Sequence, residues 1–150
     1  MPEQRIGEGL PDWIKDHLQR YIDSDGEDGY LWDAALAGGE GKVPTLLLTT
    51  TGRKSGLTLT LPLIFGKTET GYCIIASKGG APAHPAWFLN LEANAQVHLQ
   101  VKAEKFNATA RIAEGAEREQ LWQQMVEIYP PYTDYQAATE RQIPVVVIEP

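Results

Sequence analysis

A single cysteine, Cys73, stands among the 150 residues, which excludes an intrachain disulfide and suits a reducing compartment. No apolar run approaches the roughly 18 residues that a spanning helix needs. The opening stretch Met1-Pro2-Glu3-Gln4-Arg5 has neither the basic nor the apolar region of a secretory signal. A cytoplasmic protein is expected. A basic excess is also missing, because the net charge is −7. Residues 1–40 carry ten acids against Arg5, Lys15 and Arg20, whereas 41–150 hold ten acids and ten bases. That balance argues against nucleic acid as a partner. It leaves the neutral body free to build a local positive patch.

Several chemistries lack their signatures. His17, His84 and His98 are far apart with no ligand-spaced partner, so no metal site is expected. No G-x-S-x-G elbow is present, and no G-x-G-x-x-G joins a strand to a helix. Gly41-Lys42 runs into Val43, and in Gly52-Arg53-Lys54-Ser55 the lysine follows arginine, so neither is a nucleotide loop. The acidic run Asp23–Asp28 fails as a calcium loop. Counted from Asp23, its glycine falls at position four and Ala34 occupies position twelve.

What is present reads as one α+β domain over 1–150, with an acidic leading helix and linker in 1–43 and a core in 44–150. Pro11–Ile22 has the spacing of a helix, with Trp13, Ile14, His17, Leu18 and Tyr21 on one stripe. Gly38–Gly41 marks the entry to the core. Thr45–Thr51, Leu57–Phe65 and Gly71–Ser77 read as strands, the last two as a hairpin across Gly66–Thr70. His84–Ala93 reads as a short helix opened by Pro85. Val97–Val101 and Phe106–Ile112 alternate as strands, Glu117–Tyr129 is an amphipathic helix, and Ile143–Ile148 is a wholly apolar last strand. Six strands with two or three helices predict a closed or nearly closed antiparallel barrel with helices packed outside.

The segment Thr49–Gly56, TTTGRKSG, carries the densest chemistry. Taken alone it is a β-turn in which Gly52 and Gly56 permit positive φ and two cations are exposed. Taken with Lys78-Gly79-Gly80 at the end of the third strand, it reads as an anion site. There the backbone amides near Gly52, the Ser55 hydroxyl, Arg53 and Lys54 converge on a phosphate. Trp87 lies in an aromatic stretch able to line a flat ring. Tyr129, Tyr132 and Tyr135 around Pro130-Pro131 read equally as packing or as phenol donors.

These residues resemble the deazaflavin-dependent nitroreductases. The matching stretches are LLLTTTGRKSG (46–56), IIASKGGAPAHPAWFLNLEAN (74–94), ARI (110–112) and YPPYTDYQAATERQIPVVVIEP (129–150). They cover most of residues 44–150, and the leading 43 match only as a generic helix. The resemblance implies a split β-barrel, like that of FMN-binding flavin reductases, that uses reduced 8-hydroxy-5-deazaflavin (coenzyme F-420). The coenzyme would deliver hydride to a nitroaromatic, a quinone, or a conjugated enone or lactone. It further implies that Arg53, Lys54 and Ser55 hold the coenzyme's phosphate and acidic tail. Ala76, Ser77 and Lys78 would border the deazaflavin, with Trp87 nearby. Tyr132 and Tyr135, with Ser77, would form the catalytic face, a neutral tyrosine donating a hydrogen bond or proton as hydride arrives. Related split barrels often pair, which makes a homodimer an expectation.

The chain departs from the family at Leu59 and Ala83, where basic residues are frequent, and at Thr60, where one sometimes occurs. Fewer cations should weaken the hold on a long anionic tail. FMN as cofactor, or a non-catalytic role holding a flavin, haem-like or acyl ligand, are the alternatives this leaves. The acidic leading segment would repel such a tail and is expected away from Arg53.

Overall fold

The computed structural model describes residues 4–6, 12–33 and 41–150. In chain order the first elements are β1 (Gln4–Ile6), α1 (Asp12–Asp23), β2 (Leu31–Asp33), β3 (Lys42–Thr51), β4 (Thr58–Lys67) and β5 (Tyr72–Ile75). A 3-10 turn over Lys78–Gly80 leads to α2 (Ala86–Ala93), β6 (Gln96–Val101) and β7 (Glu104–Ile112). Then come α3 (Gly115–Ile128), α4 (Pro131–Ala137) and β8 (Val145–Glu149). None of the described helices is long and apolar enough to cross a membrane.

Antiparallel pairing runs β3-β4-β5-β8-β7-β6, and β6 pairs back onto β3. Six strands therefore close a barrel and leave none of them an open edge. The expected α+β barrel is present, with two additions. β1 lies parallel to β4 and β2 antiparallel to β3, and the described residues form four α-helices rather than two or three. The predicted helix start at Pro11 and most of the Gly38–Gly41 entry lie outside the described residues.

Strand alternation sorts the core into layers. Leu46 and Leu48 of β3, Ile74 of β5 and Val146 and Ile148 of β8 face the barrel interior with Phe65 and Leu99. Trp87, Phe88 and Leu91 of α2 join that interior cluster, so α2 caps the barrel. The alternate residues Cys73, Ile75, Val145 and Val147 face outward and are covered by Leu121 and Met125 of α3. β8 is apolar from Val145 to Ile148 because both of its faces are buried there. Leu47 points outward under Leu18 and Tyr21 of α1. Each such side chain contributes about 1.5–3 kcal/mol on burial.

β4 departs from the simple alternation. Phe65 is buried, but Leu59, Leu61 and Leu63 are only partly so, while Thr60 on the supposed polar face is buried. Its hydroxyl lies 2.6 Å from that of Thr49 on the paired strand. α1 is fastened through Tyr21, whose hydroxyl donates to the Thr45 carbonyl (3.0 Å) and accepts from the Lys102 amide (2.8 Å).

Candidate active site

Two prolines create the tyrosine cluster. A residue preceding proline is driven out of the helical region, and Tyr129, before Pro130, is extended at φ −140° and ψ 86°. α3 therefore stops at Ile128. Pro131 then starts α4 in the first-turn position that suits proline. The sharp change of direction stacks three rings from adjacent turns. Tyr129 and Tyr132 meet edge to face at 4.9 Å, and Tyr132 lies 6.2 Å from Tyr135. The Tyr129 and Tyr135 hydroxyls are 2.8 Å apart. Burial pushes the Tyr129 and Tyr132 phenols well above the ordinary tyrosine range, and the neighbouring Tyr135 hydroxyl acts in the same direction. Both phenols are therefore neutral at physiological pH.

These tyrosines form one wall of a cleft of about 320 Å3. Ser77 and Gly79 contribute the rim, and Pro62, Leu63 and Ile64 of β4 the floor. The remaining wall comes from the leading segment: Trp13, Ile14 and His17 of α1 and Trp32 of β2. Trp13 and Trp32 stack at 6.0 Å, and Trp32 lies 6.2 Å from Tyr129. His17 Nε2 donates to the Gly29 carbonyl at 2.7 Å, since a carbonyl can only accept. The helical stripe containing Trp13, Ile14 and His17 was visible in the sequence, but its destination was not.

The basic turn lies between β3 and β4. Gly52 N–H donates to the Leu57 carbonyl at 2.7 Å, and Gly56 N–H to the Gly52 carbonyl at 2.9 Å. Arg53 N–H donates to Asn90 Oδ1 at 3.2 Å. Of the backbone amides near Gly52 expected to converge on an anion, those of Gly52, Arg53 and Gly56 are directed elsewhere. These three amides are already engaged within the protein, because the tight turn needs them to close. Arg53 and Lys54 are exposed, and Ser55 Oγ accepts from Leu57 N–H at 3.1 Å, which leaves its own proton to donate outward.

β5 runs antiparallel to β4, so Ala76, Ser77 and Lys78 leave the sheet toward the barrel end that bears this turn. Ala76 is buried, with its amide donated to the Pro144 carbonyl at 3.0 Å. Lys78 is exposed at φ 47°. Gly80, at φ 84°, sits so close to α4 that an added Cβ would lie 2.7 Å from the Tyr135 carbonyl oxygen. Trp87 is buried in the barrel interior beside Phe88, not in the tyrosine cleft.

Ser77, Tyr132 and Tyr135 are thus brought together in one cleft, with Lys78 adjoining Ser77. Arg53, Lys54 and Ser55 form a separate basic turn, tied through Asn90 to the helix that carries Trp87. Asn90, Trp13, His17 and Trp32 escaped sequence reasoning. Asn90 carried a faint signal as a polar residue between the apolar Leu89 and Leu91 of a largely apolar helix.

A family model described as F420H(2)-dependent quinone reductase matches residues 13–150. An F420H(2)-dependent quinone reductase of Mycobacterium tuberculosis is 38% identical over 129 residues, covering 79% of this chain and 87% of the relative. A solved F420-H2 dependent reductase, FDR-A, is 46% identical, covers 71% of this chain and 94% of its own, and has a TM-score of 0.66. Another solved structure, described as a domain-swapped dimer, is 39% identical over 92% of this chain and 98% of its own, with a TM-score of 0.68. On the family match and these relatives, the chain belongs to the F420H(2)-dependent quinone reductase family.

Proposed function

We propose that the protein is an oxidoreductase that transfers hydride from the reduced 8-hydroxy-5-deazaflavin coenzyme to a quinone or a similarly electron-poor small molecule. The observation that carries the reading is the cleft in which Ser77 faces three tyrosines between aromatic walls. Nitroaromatics and conjugated enones or lactones share the flatness and electron poverty of quinones and belong to the same class of acceptor.

The residues present fit an anionic, flat coenzyme. Arg53, Lys54 and Lys78 are exposed, and none is ion-paired with a carboxylate among the described residues. Arg53, Lys54 and Ser55 would hold the phosphate and acidic tail, with Ala76, Ser77 and Lys78 along the ring. When bound, the reduced coenzyme supplies a hydride, two electrons at once. The protein supplies orientation and proton donors. Tyr132 presents a phenol kept neutral by burial. In the Tyr129–Tyr135 hydroxyl pair one phenol donates to the other, and Tyr132 is the phenol we assign to an acceptor oxygen that gains negative charge. Trp13 and Trp32 offer that side a flat aromatic wall.

The relatives are named for the reduced deazaflavin, and FMN has no support from them despite Leu59, Thr60 and Ala83. Cys73, buried and unpaired, suits a reducing cytoplasm, and the domain-swapped relative favours a homodimer.

Tryptophan fluorescence should be titrated with the deazaflavin coenzyme and with FMN, followed by absorbance of the reduced coenzyme on adding menadione. Quenching by the deazaflavin and its oxidation by the quinone are expected. Binding of FMN without binding of the deazaflavin would overturn the reading.

A further inference from the structure

Arg141, in the connection between α4 and β8, takes no part in lining the cleft, yet it organises the segment beneath it. Nε donates to the Ala81 carbonyl at 2.8 Å, and Nη2 to the Ser77 carbonyl at 2.8 Å. Nη1 reaches the Ala76 carbonyl at 3.2 Å and His84 Nδ1 at 3.0 Å. Arginine can only donate, so His84 Nδ1 is the acceptor. The four acceptors span Ala76–His84, the whole excursion that carries Ser77 and Lys78. Three are carbonyls, and no described carboxylate pairs with the guanidinium. A planar fork with five fixed donors can hold three carbonyls in one arrangement, which an ammonium cannot do.

Arg141 is itself fixed to α4. Gln136 Nε2 donates to the Arg141 carbonyl at 2.7 Å, and Gln136 Oε1 accepts from the Ile143 amide at 2.9 Å. One amide side chain therefore grips the backbone on both sides of Arg141. Gln136 follows Tyr135 directly. The path from the tyrosines to Ser77 thus runs through one amide and one guanidinium, and Gly80 against the Tyr135 backbone forms a second joint.

We propose that Arg141 is a positioning residue that presets the Ala76–His84 segment for the coenzyme and fixes Ser77 and Lys78 relative to Tyr135. The proposal rests on Ser77 and Lys78 bordering the deazaflavin. It makes Arg141 necessary for tight coenzyme binding without contact with the coenzyme.

The test compares wild type, Arg141→Lys and Arg141→Ala. In coenzyme-free protein, amide hydrogen exchange reads the segment directly. The Gly80 and Ala81 amides, which close the 3-10 turn onto the Ser77 and Lys78 carbonyls at 2.9 and 3.1 Å, should exchange about tenfold faster or more in Arg141→Lys. Amides of β3 and β8 should keep wild-type protection. Fluorescence titration should show coenzyme affinity falling about tenfold, with KM for the quinone unchanged at saturating coenzyme. Added guanidinium at tens of millimolar should restore much of the affinity of Arg141→Ala and leave wild type unaffected. If Arg141→Ala does not fold, Arg141→Lys decides alone. Full coenzyme affinity or unchanged Gly80 and Ala81 exchange in Arg141→Lys would overturn the proposal. Failure of wild type itself to bind the deazaflavin would instead overturn the functional reading beneath it.

Discussion

Asn90 Oδ1 receives two hydrogen bonds from Arg53, one from its backbone amide at 3.2 Å and one from Nη1 at 3.0 Å. The Asn90 amide nitrogen in turn donates to Thr50 Oγ1 at 3.2 Å. A buried amide on the barrel-capping helix therefore sets the direction of an exposed arginine without neutralising it. A carboxylate at this position would hold Arg53 equally well but cancel its charge. Asn90→Asp should keep a thermal midpoint near that of wild type at neutral pH, yet weaken coenzyme binding tenfold or more. Asn90→Ala should lose about 1–3 kcal/mol of stability, because it leaves polar groups unpartnered. Urea melts beside fluorescence titrations separate the two effects. Unchanged coenzyme affinity in Asn90→Asp would remove Arg53 from the anion site.

Charge at the basic turn should appear as salt dependence. The double substitution Arg53→Ala with Lys54→Ala is expected to weaken the coenzyme by at least tenfold at low salt, less at high salt, where the exposed side chains are screened. Removing Lys78 as well should flatten the salt dependence further. Titrations at two ionic strengths check this, and equal losses at both would point to a steric effect instead.

Tyr132→Phe removes one phenol and little volume. Turnover with a quinone should fall by about 10²-fold or more, in the range of a lost proton donor, while coenzyme affinity changes less than twofold. Stopped-flow oxidation of the reduced coenzyme gives the first quantity and fluorescence the second. A matching fall in both would move Tyr132 from the substrate side to the coenzyme side.

Alkaline pH should destabilise the protein. Burial is the main cause that pushes the Tyr21 phenol up to about 12, with the Lys102 amide opposing it. Tyr129 and Tyr132 are raised further. A phenol whose folded pKa exceeds its unfolded value contributes fully below about pH 10 and loses that contribution as pH climbs toward the folded value. Stability should begin to fall above about pH 8.5, because burial also holds the Cys73 thiol up at about 11. Above about pH 10 it should fall more steeply, by about 1.4 kcal/mol per pH unit for each such tyrosine. Urea melts between pH 8 and 11 measure the slope, and Tyr21→Phe should reduce it. A level profile up to pH 11 would contradict the burial of these groups.

Most of the barrel was legible in the sequence because its strands alternate and its turns carry glycine. Val97, Leu99 and Val101 gave β6, and the wholly apolar Ile143–Ile148 gave β8. What escaped was short or depended on distant contacts. α4 is seven residues long and begins with Pro131, and a double proline reads as a break before it reads as a start. β1 and β2 have three residues each and exist only through pairing with β4 and β3. The site divided in the same way. The tyrosines are sequence neighbours and were found together, whereas Trp13 and Trp32 reach them from about a hundred residues away. The turn at Gly52–Gly56 was foreseen, but not that its closure engages the Gly52 and Gly56 amides. Arg141 looked like any surface arginine, since its role lies in four acceptors that only the fold assembles.

Gly80 has no room for a Cβ against the Tyr135 carbonyl, and this couples two regions that would otherwise vary separately. The excursion that carries Ser77 and Lys78 and the phenol-bearing helix share a joint without slack. Lengthening one would displace the other. The shape of the cleft in such a scaffold is therefore free to change by exchanging rings in place, at Trp13, Trp32 or the tyrosines, while the backbone that joins the two regions keeps its length.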